Sequence, residues 1–451
     1  MNPIESITHT EVPLANGGFV LILNNGAIIG PESEAMLQAL HSRSIGGIKS
    51  HLKVLAAKGA DNFMANFYVG YGHKSIGDCG TCTIFIEGVS MLVAKAIQDS
   101  PLYSGQEAST RYIDFAKQIF IDPTKTNESS SILEDWRTFY LRGLDILQVD
   151  LKKRFPRSEQ EDEKIYTKAI KARAFDIMRG FLPSGASTNL AWHTNFRQAA
   201  DHLMRLRHHP LAEVREVSQA IEAGLKKAYP SSFGHPRFET TENFNEEWMK
   251  NKYYFTTTSP VDFGMTRNTI DKNALATFKN LLEKRPAKTE VPKEIGECGT
   301  IQFEFLLDFG SFRDIQRHRA VLQRMPLIQM NHGFEEWYLN ELPAEFRNEA
   351  KEFISTQRQR IESLNISKEE MQYYIPMGYK LPNKINGSLS ALIYLAELRS
   401  TRFVHSTLRK RAQQMAHVIS NEFAEQGVVI HIDTDPDRFD IRRGEHDIVQ
   451  K

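Results

Sequence analysis

A chain of 451 residues that is 41% hydrophobic and 25% charged can bury a full core, and its length allows two large domains or about three average ones. Lys+Arg and Asp+Glu both number 56, so the formal net charge is zero and neither duplex nucleic acid nor an anionic membrane is an expected partner. Three cysteines exclude a disulfide scaffold. Met1–Ser6 has no basic leader, and the Phe19–Ile29 apolar run is too short and interrupted to span a bilayer. A cytoplasmic, soluble protein is the expectation.

In chain order, the first informative segment is Ser75-Ile76-Gly77-Asp78-Cys79-Gly80-Thr81, because it returns as Glu294-Ile295-Gly296-Glu297-Cys298-Gly299-Thr300. The offset from Ser75 to Glu294 is 219 residues, too long for a solenoid period and suited to a duplicated domain. After the first copy, Thr83–Ile86 reads as a strand, and Val89, Val93 and Ile97 read as a buried helical stripe. Helices are expected over Glu161–Arg179, Asn195–Leu206 and Pro210–Lys227. The turn-rich Tyr229–Pro236 is the expected boundary between domains 1–235 and 236–451. After the second copy, Gln302–Phe305 alternates as a strand, and Phe309, Phe312 and Gln316 fall at helical spacing. Glu345–Asn365, Ser388–Leu398 and His405–Gln426 come next as helices, then a β-like Val428–Ile432 and a charged tail. The fold class is α+β, two tandem domains, each a mixed sheet with helices.

Downstream of the repeated segment the two halves diverge. The second leads to Arg317-His318-Arg319, which at a helix end can fan two guanidiniums and an imidazole around an anion. A solvated basic turn is the plainer alternative. At the same offset the first half has Gln98-Asp99-Ser100. Beyond it lies Gln106-Glu107-Ala108-Ser109-Thr110-Arg111-Tyr112, a polar loop suited to a phosphate through Arg111, Ser109 and backbone N–H groups. The second half reads Met325-Pro326-Leu327-Ile328-Gln329 there, mostly apolar. Cys79-Gly80-Thr81-Cys82 has no second cysteine pair to complete a zinc site, so buried structural cysteines are expected and no metal. His208-His209-Pro210 reads as a turn before the next helix.

His73-Lys74-Ser75, a strand, a helix, and then Glu107-x-Ser109-x-Arg111-Tyr112 resemble the flavin-dependent thymidylate synthases (ThyX), as does Arg317-His318-Arg319. The likeness extends to Arg179-Gly180-Phe181-Leu182-Pro183, Asn195-Phe196-Arg197 and Leu206-Arg207, covering roughly 37–226 and more weakly 253–425. In the second half Leu381-Pro382 and Leu398-Arg399 stand for parts of this block, with Gly378 at the place of Arg179. Neither half holds the complete signature.

The resemblance implies that dUMP is methylated to dTMP with methylenetetrahydrofolate, using FAD and NADPH. It also implies a division of labour in which Glu107, Ser109, Thr110, Arg111, Arg179 and Arg399 bind the substrate. Arg317, Arg399, Arg179 and Ser109 would be catalytic, while His73, Ser75, Asn195, Arg197, Arg317, His318 and Arg319 would serve the flavin. One composite site per chain is expected, its reciprocal (Gln98, Arg207, Leu327, Gln329) inactive, in a homodimer equivalent to the family tetramer. His73 has a rival reading as a strand-edge histidine and Asn195 as a helix N-cap. Two alternatives remain: a divergent flavoprotein acting on another pyrimidine nucleotide, and a non-enzymatic nucleotide-binding descendant.

Overall fold

The computed structural model describes residues 9–23, 29–43, 47–255 and 261–436. Met1–Ser6, part of Phe19–Ile29 and the charged tail beyond 436 lie outside these residues. The strands are β1 (His9–Pro13), β2 (Phe19–Leu23), β3 (Thr81–Ser90), β4 (Ser104–Glu107), β5 (Ser187–Asn195), β6 (Phe263–Asn268), β7 (Thr300–Asp308), β8 (Leu322–Arg324) and β9 (Lys380–Ser388). The principal helices are α1 (Pro31–Arg43), α2 (Gly47–Lys58), α3 (Met91–Gln98), α4 (Asn127–Arg154), α5 (Glu163–Met178) and α6 (Phe196–Leu206). After them come α7 (Ala212–Ala228), α8 (Glu239–Tyr253), α9 (Phe309–Ile315), α10 (Ala344–Ser363), α11 (Leu389–Arg399) and α12 (Ser406–Glu422). The class is α+β, and every strand pairing is antiparallel. Among the described residues no helix is long and apolar enough to cross a membrane.

Two compact units interleave along the chain. Unit 1 comprises Met1–Ile113 and Ala186–Lys252, and unit 2 comprises Asp114–Gly185 and Tyr253–Lys451. The sheet of unit 1 runs β1-β2-β3-β5-β4, and that of unit 2 runs β6-β7-β9-β8. The second order repeats the first without the edge strand β1. In unit 1, Cys82, Ile84 and Ile86 of β3 alternate inward, as a half-buried strand requires. Helix α3 is buried on all sides, Lys95 and Gln98 included.

Unit 2 takes two helices from the first half of the chain. Helix α4 begins with a Thr126/Ser129 capping box that satisfies its first backbone donors. It then packs aromatic faces against α10: Phe139 stacks on Phe346 at 5.0 Å and on Phe353 at 4.3 Å. Trp136 meets Phe353 edge-on at 4.9 Å.

The duplication can be followed bond by bond. Ser90 caps α3 through Val93 N, and Asp308 caps α9 through Ser311 N. Ser90 Oγ donates to Glu213 Oε2 on α7 (2.6 Å), while Thr407 Oγ1 on α12 donates to Asp308 Oδ2 (2.7 Å). Carboxylate and hydroxyl have exchanged places between the copies. Asn195 caps α6 through Gln198 N, and Ser388 caps α11 through Ala391 N.

These anchors correct the register read from sequence. Strand β3 carries a bulge between Ile86 and Val89, with Gly88 at φ +68°, that β7 lacks, so the offset drops by one along the strand. Arg317, His318 and Arg319 therefore correspond to Asp99, Ser100 and Pro101, not to Gln98-Asp99-Ser100. A second correction concerns the Leu-Pro block. The turn after α5, Arg179–Phe181, is matched by Gln372–Tyr374, and Pro183 pairs with Pro376 in an isolated bridge. The place of Arg179 is thus held by Gln372, not Gly378, and Leu182-Pro183 by Ile375-Pro376, not Leu381-Pro382. A shorter connection in the second half moved the alignment. Helices α6 and α11 have 11 residues each, so Arg399 corresponds to Leu206, and Arg207 to Ser400. Val428–Ile432 forms no strand: Val429 O accepts from Arg285 Nη2 (2.8 Å) and His431 N donates to Glu397 Oε1 (2.8 Å), so side chains take the backbone groups a strand would need.

Candidate functional site

In unit 2, Arg179 ends α5 and is 7% exposed. Its Nη2 donates to Ser311 Oγ at 3.0 Å, and its Nη1 lies 3.9 Å from Asp314. The Nε, also buried, has no hydrogen-bond partner. Burial works against this charge, but Tyr338, Asp314, Asp308 and Asp176 outweigh it, so the guanidinium stays charged.

Ser311 is held in turn by Thr407 Oγ1 (2.6 Å) and His405 Nδ1 (3.3 Å), and Tyr338 donates to Asp308 Oδ1 (2.7 Å). Burial drives the His405 imidazole well below its ordinary range and the Tyr338 phenol well above its own. His405, Tyr338, Thr407 and Ser311 had no signal in the sequence. They lie about a hundred residues or more from Arg179, and only Asp308, preceding a helix, is a recognisable cap.

Asp314 links this network to a second. Arg399 Nε donates to His318 Nε2 at 2.6 Å, which leaves the imidazole neutral with its proton on Nδ1. Burial and then Arg399 push His318 down to about 3. Burial lowers Arg399 too, while Asp314 raises it. Arg317 and Arg319 flank the buried His318 in sequence and are exposed, while Arg399 is half-buried. Unit 2 therefore unites Arg179, His318, Arg399 and Asp314, with two further guanidiniums reaching solvent. The apolar loop of the second half is closed: Met325, Leu327 and Ile328 are buried, and Ile328 N donates to Gln372 Oε1 (2.9 Å).

In unit 1, Glu107 closes β4 and accepts from Gln98 Nε2 at 2.8 Å. Ser109 is exposed and precedes a helical turn, Thr110–Tyr112, with Thr110 buried and Arg111 exposed. Where the second half has Arg317, Asp99 accepts from buried Lys95 at 2.7 Å and from Lys252 at 3.4 Å. Its carboxylate neutralises the cations there.

The turn bearing His73 and Ser75 lies beside α6 through Lys74–Asp201 (3.7 Å) and Asp78–Arg197 (2.7 Å). His73 stacks on Tyr71 at 4.6 Å, and Ser75 is exposed. Asn195 Oδ1 accepts from Gln198 N (2.9 Å), so its side chain caps a helix. A cavity of about 400 Å³ opens here, lined by Tyr68, Lys74, Arg197, Asp201, Arg207 and His235 among others. Arg207 is tied to Glu242 (2.7 Å) and Glu222 (3.7 Å), and His208 to Glu242 at 2.7 Å, an acidic partner supplied by α8 that sequence spacing did not reveal. Cys82 is buried and its thiol pushed up to about 12 by that burial.

Fold and site together define a two-unit α+β protein with a cationic half-site in unit 2 built around four arginines and a neutral histidine. Residues 31–231 match the family described as Thy1, thymidylate synthase complementing protein. A UPF0159 protein of Chlamydia muridarum is 24% identical over 420 residues, 80% of this chain and 79% of the relative. A UPF0159 protein of Thermoplasma acidophilum is 23% identical over 84% of this chain and 90% of its own. A flavin-dependent thymidylate synthase of Corynebacterium efficiens is 25% identical over 171 residues, 38% of this chain and 67% of that enzyme. Over residues 31–231 the chain is thus similar to the Thy1 family. Its second half, which lacks the Glu-x-Ser-x-Arg loop, repeats the architecture outside the matched residues.

Proposed function

We propose that this protein is a flavin-dependent thymidylate synthase, methylating dUMP with methylenetetrahydrofolate and NADPH, and that the loop of unit 1 and the arginines of unit 2 are both required. The observation that carries the reading is Arg179. A buried guanidinium with an unpartnered Nε, beside a neutral His318 and exposed Arg317 and Arg319, suits a ligand rich in phosphate and carbonyl oxygens. Bound FAD would supply the redox chemistry. In unit 2, Arg317, Arg319 and His318 would serve it; in unit 1, His73, Ser75 and Arg197 are flavin-side candidates in their own right, and Asn195 would act through its cap. In unit 1, Arg111 and Ser109 suit a nucleotide phosphate and Glu107 a sugar or base donor; in unit 2, Arg179 and Arg399 suit base carbonyls.

A second reading, the same binding with a different pyrimidine, is favoured by Asp314. The Asp314 carboxylate, 3.9 Å from Arg179, prefers a substrate group that donates a hydrogen bond.

The test is purified protein titrated with FAD and assayed for dTMP. Arg111→Ala and Arg317→Ala are each expected to lower turnover by about two orders of magnitude, as for loss of an electrostatic contact to reacting charge. Arg207→Ala should cost little, since Arg207 already serves Glu222 and Glu242. Protein that binds no FAD would sink both readings. Protein that binds FAD and turns over another pyrimidine nucleotide but not dUMP would establish the second.

A further inference from the structure

Tyr394 sits on α11, five residues before Arg399, and is 54% exposed. Its ring centroid lies 5.9 Å from that of His318, at 59°. Leu398, one turn further along the same helix face, is 44% exposed. An apolar ridge therefore lies against His318, which accepts from Arg399 and stands between the exposed Arg317 and Arg319 in the chain. The interior has no use for this phenol. Its neighbours are a neutral imidazole that accepts from Arg399 and a cationic surface.

Aromatic faces beside guanidiniums suit a planar conjugated ring that carries a phosphate: the ring stacks and the phosphate pairs. A phosphate alone would need only the arginines, and an apolar ligand alone would leave them unpaired.

We infer that Tyr394 is a stacking platform for the conjugated ring of a phosphorylated ligand held by Arg317 and Arg319. The inference rests on the proposed reading and deepens it by assigning the ring's place to a residue outside the basic triplet. Its hydroxyl is not needed for stacking, so phenylalanine should serve equally.

The experiment titrates the full chain, Tyr394→Ala, Tyr394→Phe and Arg317→Ala with FAD, with FMN and with dUMP, following flavin fluorescence and calorimetric affinity. Stacking contacts of this kind lead us to expect affinity for at least one ligand to fall about 5- to 100-fold in Tyr394→Ala. Where that ligand is a flavin, quenching of its emission should be lost as well. Tyr394→Phe should restore both. Arg317→Ala should weaken binding while leaving the quenching of whatever flavin binds. If the wild-type chain and Tyr394→Ala bind all three ligands alike and Arg317→Ala does not, the platform is refuted and the proposed function stands. If the wild-type chain binds none, both fall. Because Tyr394 is exposed, its replacement leaves the core intact.

Discussion

His318 is kept neutral inside a cationic cluster because burial and the Arg399 guanidinium both disfavour its protonated form. In unit 1, His202 is likewise pushed down to about 3, by burial and then Arg205. Unfolded, each would titrate near its ordinary value, so the unfolded chain binds more protons below about pH 6.5. Their contribution to stability is therefore complete above that value and is lost as pH falls from about 6.5 towards 3. At pH 5 each should cost about 2 kcal/mol. Denaturant unfolding at pH 5, 6 and 7.5 checks this, and His318→Asn should flatten the profile. A midpoint independent of pH over that span would show that both imidazoles protonate freely in the folded state. The sequence marked Arg317-His318-Arg319 as chemistry but could not show that the central residue is buried, because its partner Arg399 is 81 residues away. Asn195 was readable either way, and its hydrogen bond makes it a cap.

Element register is where sequence reading and structure part. The repeated IGDCGT and IGECGT fix one point on each of β3 and β7, but a single bulge at Gly88 moves everything beyond it by one residue. Strands and helices rich in apolar spacing, such as β7 and α6, were legible. Helix α4 was missed because its 28 residues carry a long polar face. The turns Arg179–Phe181 and Gln372–Tyr374 meet closely: Gly378 N donates to Gly180 O at 2.8 Å. A β-carbon at Gly378 would lie 2.4 Å from the Phe334 ring and 2.8 Å from the Gly180 carbonyl oxygen. Gly378→Ala should destabilise the protein by about 2 kcal/mol through overpacking, read as a lower urea midpoint. Gly234→Ala, where a β-carbon meets nothing within 4 Å, should be neutral. Equal midpoints for the two variants would mean the turn yields without strain.

For the whole molecule, the sequence repeat and the compact units divide the chain differently. The repeat parts it near 235. Unit 2 nevertheless includes Asp114–Gly185, because Phe139 and Trp136 of α4 find their partners in Phe346 and Phe353 of α10. No local pattern announces such a pairing across about 200 residues; only the packing reveals it. A fragment spanning 236–451 would leave that aromatic face uncovered, along with the surroundings of Arg179. It should be aggregation-prone and bind a hydrophobic dye strongly, whereas adding residues 114–185 as a separate polypeptide should suppress the dye signal. A soluble fragment with a cooperative thermal transition would show that α10 does not need α4.

The exchanged pair at the strand ends has an evolutionary meaning. Ser90 faces Glu213, whereas Asp308 faces Thr407. Recombination that joined the strand of the second copy to the helix of the first would set Asp against Glu, two carboxylates competing for one buried position. The opposite crossover would set Ser against Thr, with no acceptor of full charge. Either hybrid would lose the hydroxyl–carboxylate bond that each parent makes, which disfavours exchange between the duplicated segments. Four atoms thus make each strand end and its helix a matched set that the other copy's partner would not fit.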